Sequence, residues 1–194
     1  LLEGDIVRDA YRCFRRNWLQ IAHERLPFIA APHGGEKNFK ASMIQHRPLE
    51  DGDDNIANFF LYNLRTLQAG EKAWFETAYF LPRGALTSLK NELIAAAARG
   101  VDVRILTNSK KTSDFGALVD AARFDYRELV EAGVRVFHRT HNRMVHAKVA
   151  VLGESLTTIG SYNLDNRSSS HDSEVICAMY DHATQQKMVE QLEV

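Results

Sequence analysis

His146-Ala147-Lys148-Val149-Ala150-Val151-Leu152-Gly153-Glu154-Ser155-Leu156-Thr157-Thr158-Ile159-Gly160-Ser161-Tyr162-Asn163 is the stretch on which the reading of this chain turns. Residues 149–152 are apolar and β-prone, and Gly153-Glu154 is a turn signal, so the run predicts two short strands joined by a tight turn. Side chains two apart on a strand share a face, which sets His146 and Lys148 on one side, about 7 Å apart along the chain. Ser161 and Asn163 repeat that spacing at the end of the neighbouring strand. An imidazole, an ammonium, a hydroxyl and a carboxamide then converge on one small patch, which is equipment for a phosphate.

Composition bounds the rest. With 194 residues, 45% of them hydrophobic, the chain can bury one good core and carry an extension. Its formal net charge of −1 provides no general attraction to nucleic acid or to anionic lipid, so any basic patch must be local. The two cysteines, Cys13 and Cys177, lie far apart, and Cys177 sits in the apolar run 175–179, the setting of a buried thiol rather than a disulfide partner. A reducing compartment is the simpler expectation. No stretch reaches the roughly 18 apolar residues of a membrane span, and no signal peptide is visible. The chain opens Leu1-Leu2-Glu3-Gly4, without methionine, which points to a start inside a longer protein.

Hydrophobic spacing predicts a helix over residues 5–20, a Pro- and Gly-containing linker over 21–38 and a strand over 39–46. An acidic loop over 48–55 holds Asp51, Asp53 and Asp54. A helix over 56–69 and a strand over 72–81, stopped by Pro82, follow. From there the alternation is regular: helix 85–99 closed by Gly100, strand 101–107, helix 114–132 closed by Gly133, strand 134–138. The hairpin, a strand from Glu174 and a last helix over 182–192 complete the chain. Strands alternating with helices argue for an α/β fold, and consecutive strands at the end make its sheet mixed rather than parallel.

His146-x-Lys148, then Gly160-Ser161-x-Asn163, then Glu174 resembles the signature of the phospholipase D superfamily, the HKD motif. The aspartate that this signature carries five residues after its lysine is Gly153 here, with Glu154 beside it; that departure bears on the turn more than on the phosphate. The resemblance runs further. Thr77-Ala78-Tyr79-Phe80-Leu81-Pro82, the run Arg99 to Ser109, Ala132-Gly133-Val134-Arg135-Val136 and Asn163-Leu164-Asp165-Asn166-Arg167-Ser168 look like the C-terminal half of bacterial cardiolipin synthases, in the branch without N-terminal membrane spans. These runs cover roughly residues 39–181. Residues 1–20 resemble the closing helix of that family's first half, so the implied organisation is a closing helix of a missing preceding lobe (1–20), a linker (21–38) and a C-terminal lobe with one HKD motif (39–194).

The resemblance implies a phospholipase D-like lobe, a mixed β-sheet flanked by helices on both faces. It implies a metal-independent phosphatidyltransferase working through a phosphohistidine, with no cofactor and no metal site. His146, Lys148 and Glu174 are the implied catalytic residues, and Lys148, Ser161 and Asn163 the implied phosphate ligands. Whether His146 is the nucleophile or the general acid/base stays open. Such enzymes build one site from two HKD lobes and only one copy occurs here, so the implied partner is a missing N-terminal lobe or a symmetric second copy of this chain. Phospholipid substrates, peripheral membrane contact and a location on the cytoplasmic side of a bacterial inner membrane follow from the same resemblance; nucleic acid is not an expected partner. The alternatives are a hydrolase or endonuclease of the same superfamily, and a lobe that is inactive alone.

Taken singly, each residue has an ordinary reading. Lys148 alone is a solvated strand residue, and Ser161 and Asn163 alone are turn formers. Arg139, His141 and Arg143 form a basic loop that reads as a solvated turn before it reads as a headgroup clamp. Asp51, Asp53 and Asp54 lack the spacing of a cation site. Asp165 and Arg167 read as structural ties, and Tyr79 and Phe80 as core aromatics.

Overall fold

The computed structural model describes residues 3–29, 39–48, 50, 52, 54–141 and 143–192. Seven strands form one sheet: β1 (Lys40–His46), β2 (Lys72–Thr77), β3 (Asp102–Asn108), β4 (Arg135–Arg139), β5 (Lys148–Leu152), β6 (Leu156–Gly160) and β7 (Glu174–Tyr180). Their spatial order is β1-β7-β6-β5-β2-β3-β4. The pairs β2–β3 and β3–β4 are parallel, and all others are antiparallel, so the sheet is mixed, as the consecutive terminal strands predict. Part of the expected linker, residues 30–38, lies outside the described residues, as do Asp51 and Asp53.

The helices are α1 (Asp5–Ala22), α2 (Asn55–Thr66), α3 (Thr87–Ala98), α4 (Gly116–Glu131), α5 (Asn166–Ser170) and α6 (His182–Leu192). Apolar residues at i, i+4 and i+8 give α2 its buried stripe of Ile56, Phe60 and Leu64. Leu89, Leu93 and Ala96 of α3 and Ala122, Tyr126 and Leu129 of α4 join that stripe in one core, against Phe75, Ile105, Ala150, Leu152, Ile176 and Ala178 of the sheet. On the opposite face, Cys177 and Met179 of β7 pack with Ile6 of α1 and with Ala41 and Met43 of β1. Alternation along β7 sends even-numbered residues to one helical layer and odd-numbered residues to the other, so helices cover both faces. Cys13 and Cys177 are both free thiols. No helix among the described residues is long and apolar enough to cross a membrane.

Several boundaries differ from the spacing-based reading: α1 runs two residues past the expected end at 20, and α3 and α4 start two residues later than expected. The strand expected over 72–81 ends at Thr77, because the Ala78 carbonyl accepts from Asn108 Nδ2 at 2.9 Å and the Tyr79 carbonyl from Thr77 Oγ1 at 2.9 Å, which takes the backbone out of the ladder. The helix expected to reach residue 69 stops at Thr66, where Leu67 turns extended and buries its side chain. The hairpin turn spans residues 153–155, since the Ser155 carbonyl accepts from Asp181 N–H at 2.8 Å instead of closing a two-residue turn. Helix α5 was not expected; Asp165 caps it by accepting from Ser168 N–H at 2.9 Å.

Gly160 sets how closely β6 and β7 approach. A Cβ built there would lie 2.2 Å from the Val175 carbonyl oxygen and 2.7 Å from Ile176 Cα, so only glycine fits without parting the strands. Gly160→Ala is therefore expected to lower unfolding free energy by about 2 kcal/mol or more, read from urea denaturation. A midpoint matching that of the parent chain would show that the strands part freely.

Candidate active site

Four strand ends meet at one edge of the sheet. β2 ends at Thr77 directly opposite Lys148, the first residue of β5. β6 ends at Gly160, and β7 begins at Glu174. The segment carrying His146 is held against the end of β3 by Asn108, which is 1% exposed. Its Nδ2 donates to the carbonyls of Ala78 and Val145, both at 2.9 Å, and its Oδ1 accepts from Val145 N–H at 2.8 Å. One amide thus ties β2, β3 and the approach to β5 together.

His146 is exposed and Lys148 half-buried. Lys148 Nζ donates to the His146 carbonyl at 2.8 Å and stands 3.2 Å from its Nδ1. An ammonium donor so placed favours the tautomer with a free lone pair on Nδ1 and the proton on Nε2. Burial pushes the Lys148 ammonium below its ordinary range, while the Glu174 and Asp165 carboxylates pull it back up.

Glu174 is 7% exposed, so its carboxylate depends on donors. Ser161 Oγ donates to its Oε2, and Ser168 Oγ donates to its Oε1 at 2.7 Å. Ser161 Oγ also accepts from Val175 N–H at 3.1 Å, which fixes the hydroxyl's direction. Asn163 N–H donates to Ser168 Oγ at 3.1 Å. Asn163 Oδ1 stands 3.4 Å from Thr77 Oγ1, which also accepts from Leu164 N–H at 3.3 Å. Ser161, Asn163 and Glu174 therefore form one connected group, and Lys148 feels the charge of Glu174. The Glu174 oxygens are thus taken by serine hydroxyls.

Thr77 and Ser168 are site residues that motif spacing passed over. Asp165 followed three residues later by Ser168 is a cap pattern, and it is the available signal for Ser168. Burial raises the Asp165 carboxyl, partly offset by the N–H groups of Ser168 and Arg167, in keeping with a capping role. Arg167 pairs with Asp172 at 2.8 Å. Tyr79 donates its hydroxyl to Asp114, and burial together with that carboxylate pushes the phenol up to about 12. Phe80 stacks on Tyr126 at 5.3 Å in the core. Arg139, His141 and Arg143 are exposed. Asp54 caps α2 by accepting from Ala57 N–H at 2.8 Å.

Comparison with known proteins agrees with this architecture. The family model described as cardiolipin synthase, phospholipase D-like domain matches residues 65–194. Cardiolipin synthase A of Pseudomonas syringae pv. syringae is 32% identical over 165 residues, covering 85% of this chain and 33% of its own length. Cardiolipin synthase 2 of Bacillus anthracis is 32% identical over 195 residues, covering 97% of this chain and 36% of its own length. The chain thus spans about a third of the length of the curated relatives it matches. Among solved structures, phosphatidylserine synthase of Haemophilus influenzae superposes with a TM-score of 0.63 at 20% identity, over 94% of this chain and 42% of that one. Nuc, a phospholipase D family member from Salmonella typhimurium, gives 0.61 at 16% identity, over 78% and 90% of the two chains. These structures share the fold.

Removing the Glu174 charge withdraws one of the two carboxylates that favour the Lys148 ammonium. Glu174→Gln is therefore expected to move Lys148 deprotonation to lower pH, followed through its Cε resonance by NMR. An unchanged or raised midpoint would show that the carboxylate does not act on this lysine.

Proposed function

This chain belongs to the phospholipase D-like family that includes the cardiolipin synthases, and from that premise we propose that it is one lobe of a phosphatidyltransferase. What supports this reading most is the convergence of His146, Lys148, Asn163 and Glu174 at adjoining strand ends, with Lys148 Nζ 3.2 Å from the imidazole. His146 Nε2 makes no hydrogen bond within the described residues, which leaves it available to a substrate.

The chemistry proposed is exchange at a phosphodiester in two displacements. One imidazole attacks phosphorus, and the bond from phosphorus to the departing alcohol breaks as a phosphohistidine forms. A second imidazole gives its proton to the departing oxygen, then takes the proton of the incoming alcohol as that oxygen displaces the histidine. Lys148 and Asn163 bind the non-bridging oxygens, the first as a charge and the second as a hydrogen-bond donor. Ser161 and Ser168 hold Glu174, and Glu174 maintains the charge of Lys148. Ser161 is thereby a positioning residue as much as a phosphate ligand. The second imidazole comes from a preceding lobe or from a second copy of this chain. His146 Nε2 suits the proton donor's role in the tautomer that Lys148 favours, and the nucleophile's role once that proton is lost.

Phospholipid as substrate, with peripheral contact at the cytoplasmic face of a bacterial inner membrane, is the setting proposed. The net charge of −1 favours it over a nuclease, whose binding would draw on a basic groove and fall steeply with salt.

His146→Ala is expected to cut diester turnover by about 10²–10⁴-fold or more, with the circular dichroism spectrum unchanged. Turnover is followed with phosphatidylglycerol vesicles, with and without chelator, and chelation is expected to have no effect. Ordinary turnover by His146→Ala would remove the catalytic assignment. Specific activity that rises with chain concentration assigns the second imidazole to a symmetric copy. Activity only after a preceding lobe is supplied assigns it there.

A further inference from the structure

The two hydroxyls that surround Glu174 arrive on segments with little structure of their own. Ser168 rides on α5, a helix of five residues and too short to persist by itself, while Ser161 lies on the stretch that leaves β6 after Gly160. Each segment is fixed from outside the signature run, by one of the two residues that bracket the passage from β1 to α2. These are His46, the last residue of β1, and Asp54, the cap of α2.

His46 is 2% exposed. Its Nε2 lies 2.8 Å from the Ser169 carbonyl oxygen, and a carbonyl only accepts, so Nε2 carries the proton and donates. That carbonyl belongs to the end of α5, where backbone acceptors have no partner within the helix. Nδ1 has no hydrogen-bond partner among the described residues, so the bond to Ser169 is what the buried ring contributes as a polar group. The preceding residue, Ser168, donates to Glu174 at 2.7 Å and accepts from Asn163 N–H at 3.1 Å. His46 and Glu174 are also direct partners across β1 and β7, so the clamp and the carboxylate it serves share one ladder position. Asp54 acts on the other segment. Its Oδ1 accepts from Ala57 N–H at 2.8 Å, which leaves Oδ2 for the Tyr162 hydroxyl at 2.6 Å. Tyr162 is buried and stands between Ser161 and Asn163 in the chain. Burial and the Asp54 carboxylate push its phenol far above the ordinary range, which keeps it a donor. The His46 and Tyr162 rings meet edge-on, with centroids 6.4 Å apart.

We propose that His46 and Asp54 are positioning residues of the phosphate site. His46 holds α5 by the Ser169 carbonyl, so that Ser168 reaches both Glu174 and the Asn163 backbone. Asp54 holds the Tyr162 hydroxyl, so that Ser161 and Asn163 on either side of it keep their places. That these groups serve a phosphate rests on the phosphodiester reading; that His46 and Asp54 set their positions does not.

The test follows amide hydrogen exchange and inorganic phosphate binding in the chain by NMR. His46→Leu keeps bulk but no donor, and is expected to speed exchange at the Ser168 and Asn163 N–H groups about tenfold. Val145 N–H, held by Asn108, is expected to keep its rate. His46→Gln keeps a donor and is expected to hold all three rates, and phosphate affinity, within about twofold of the parent chain. Tyr162→Phe removes only the hydroxyl that Asp54 holds, and is expected to speed exchange at Val175 N–H, whose acceptor is Ser161 Oγ. Phosphate binding is expected to weaken about tenfold in His46→Leu and no further when Ser168→Ala is added, because the histidine acts through that serine. Additive losses, or a glutamine variant that behaves like the leucine one, overturn the role of His46. If His46→Leu does not fold, His46→Gln decides: rates or affinity outside that range overturn it. Val175 exchange unchanged in Tyr162→Phe overturns the role of Asp54. A parent chain that does not bind phosphate counts instead against the phosphodiester reading, and the exchange rates still decide the positioning.

Discussion

A nearly buried carboxylate at position 174 is the constraint around which this sheet edge is organised. A charge in that position persists only when donors surround it, and the chain brings two serine hydroxyls to it from different elements. Ser161 arrives because Gly160 lets β6 run close against β7. Ser168 arrives because Asp165 starts a short helix that turns it back over the strand end. The same carboxylate then counteracts the burial of Lys148. Backbone contact, helix cap and side-chain charge are thus one coupled arrangement.

The candidate site depends equally on what brings β5 beside β2. Their antiparallel pairing puts Lys148 opposite Thr77, and Asn108 binds both the Ala78 carbonyl and the Val145 backbone. The site residues are therefore carried by strand ends and by tight loops bonded to them. In the proposed chemistry a phosphate at this edge would meet groups whose directions are already set, which is how electrostatic stabilisation becomes effective. His146 and Ser161 are the exposed members of the group, whereas Glu174 is nearly buried.

Family membership and geometry restrict the chemistry in different ways. Membership makes phosphodiester exchange the natural reading, yet the chain corresponds to about a third of its curated relatives, so a whole enzyme's lipid preferences are not carried over. Geometry adds two neighbouring environments of opposite character, one cationic around Lys148 and one neutral to acidic around His46 and Asp54.

The α/β alternation, the mixed sheet and the His146, Lys148, Ser161, Asn163 and Glu174 set were legible in the sequence, because strand periodicity and short fixed spacings are local properties. Strand and helix ends were less legible: β2 stops where distant Asn108 captures the Ala78 carbonyl, and no local pattern announces that. The partners of Glu174 and the anchors of α5 and Tyr162 came only with tertiary structure. His46 and Ser169 are 123 residues apart, and Tyr162 and Asp54 are 108 apart, so their meeting depends on strand order and helix packing. By itself the sequence determined which side chains could serve a phosphate. The fold decided which of them touch, because desolvation and hydrogen-bond partners exist only once the strands are side by side.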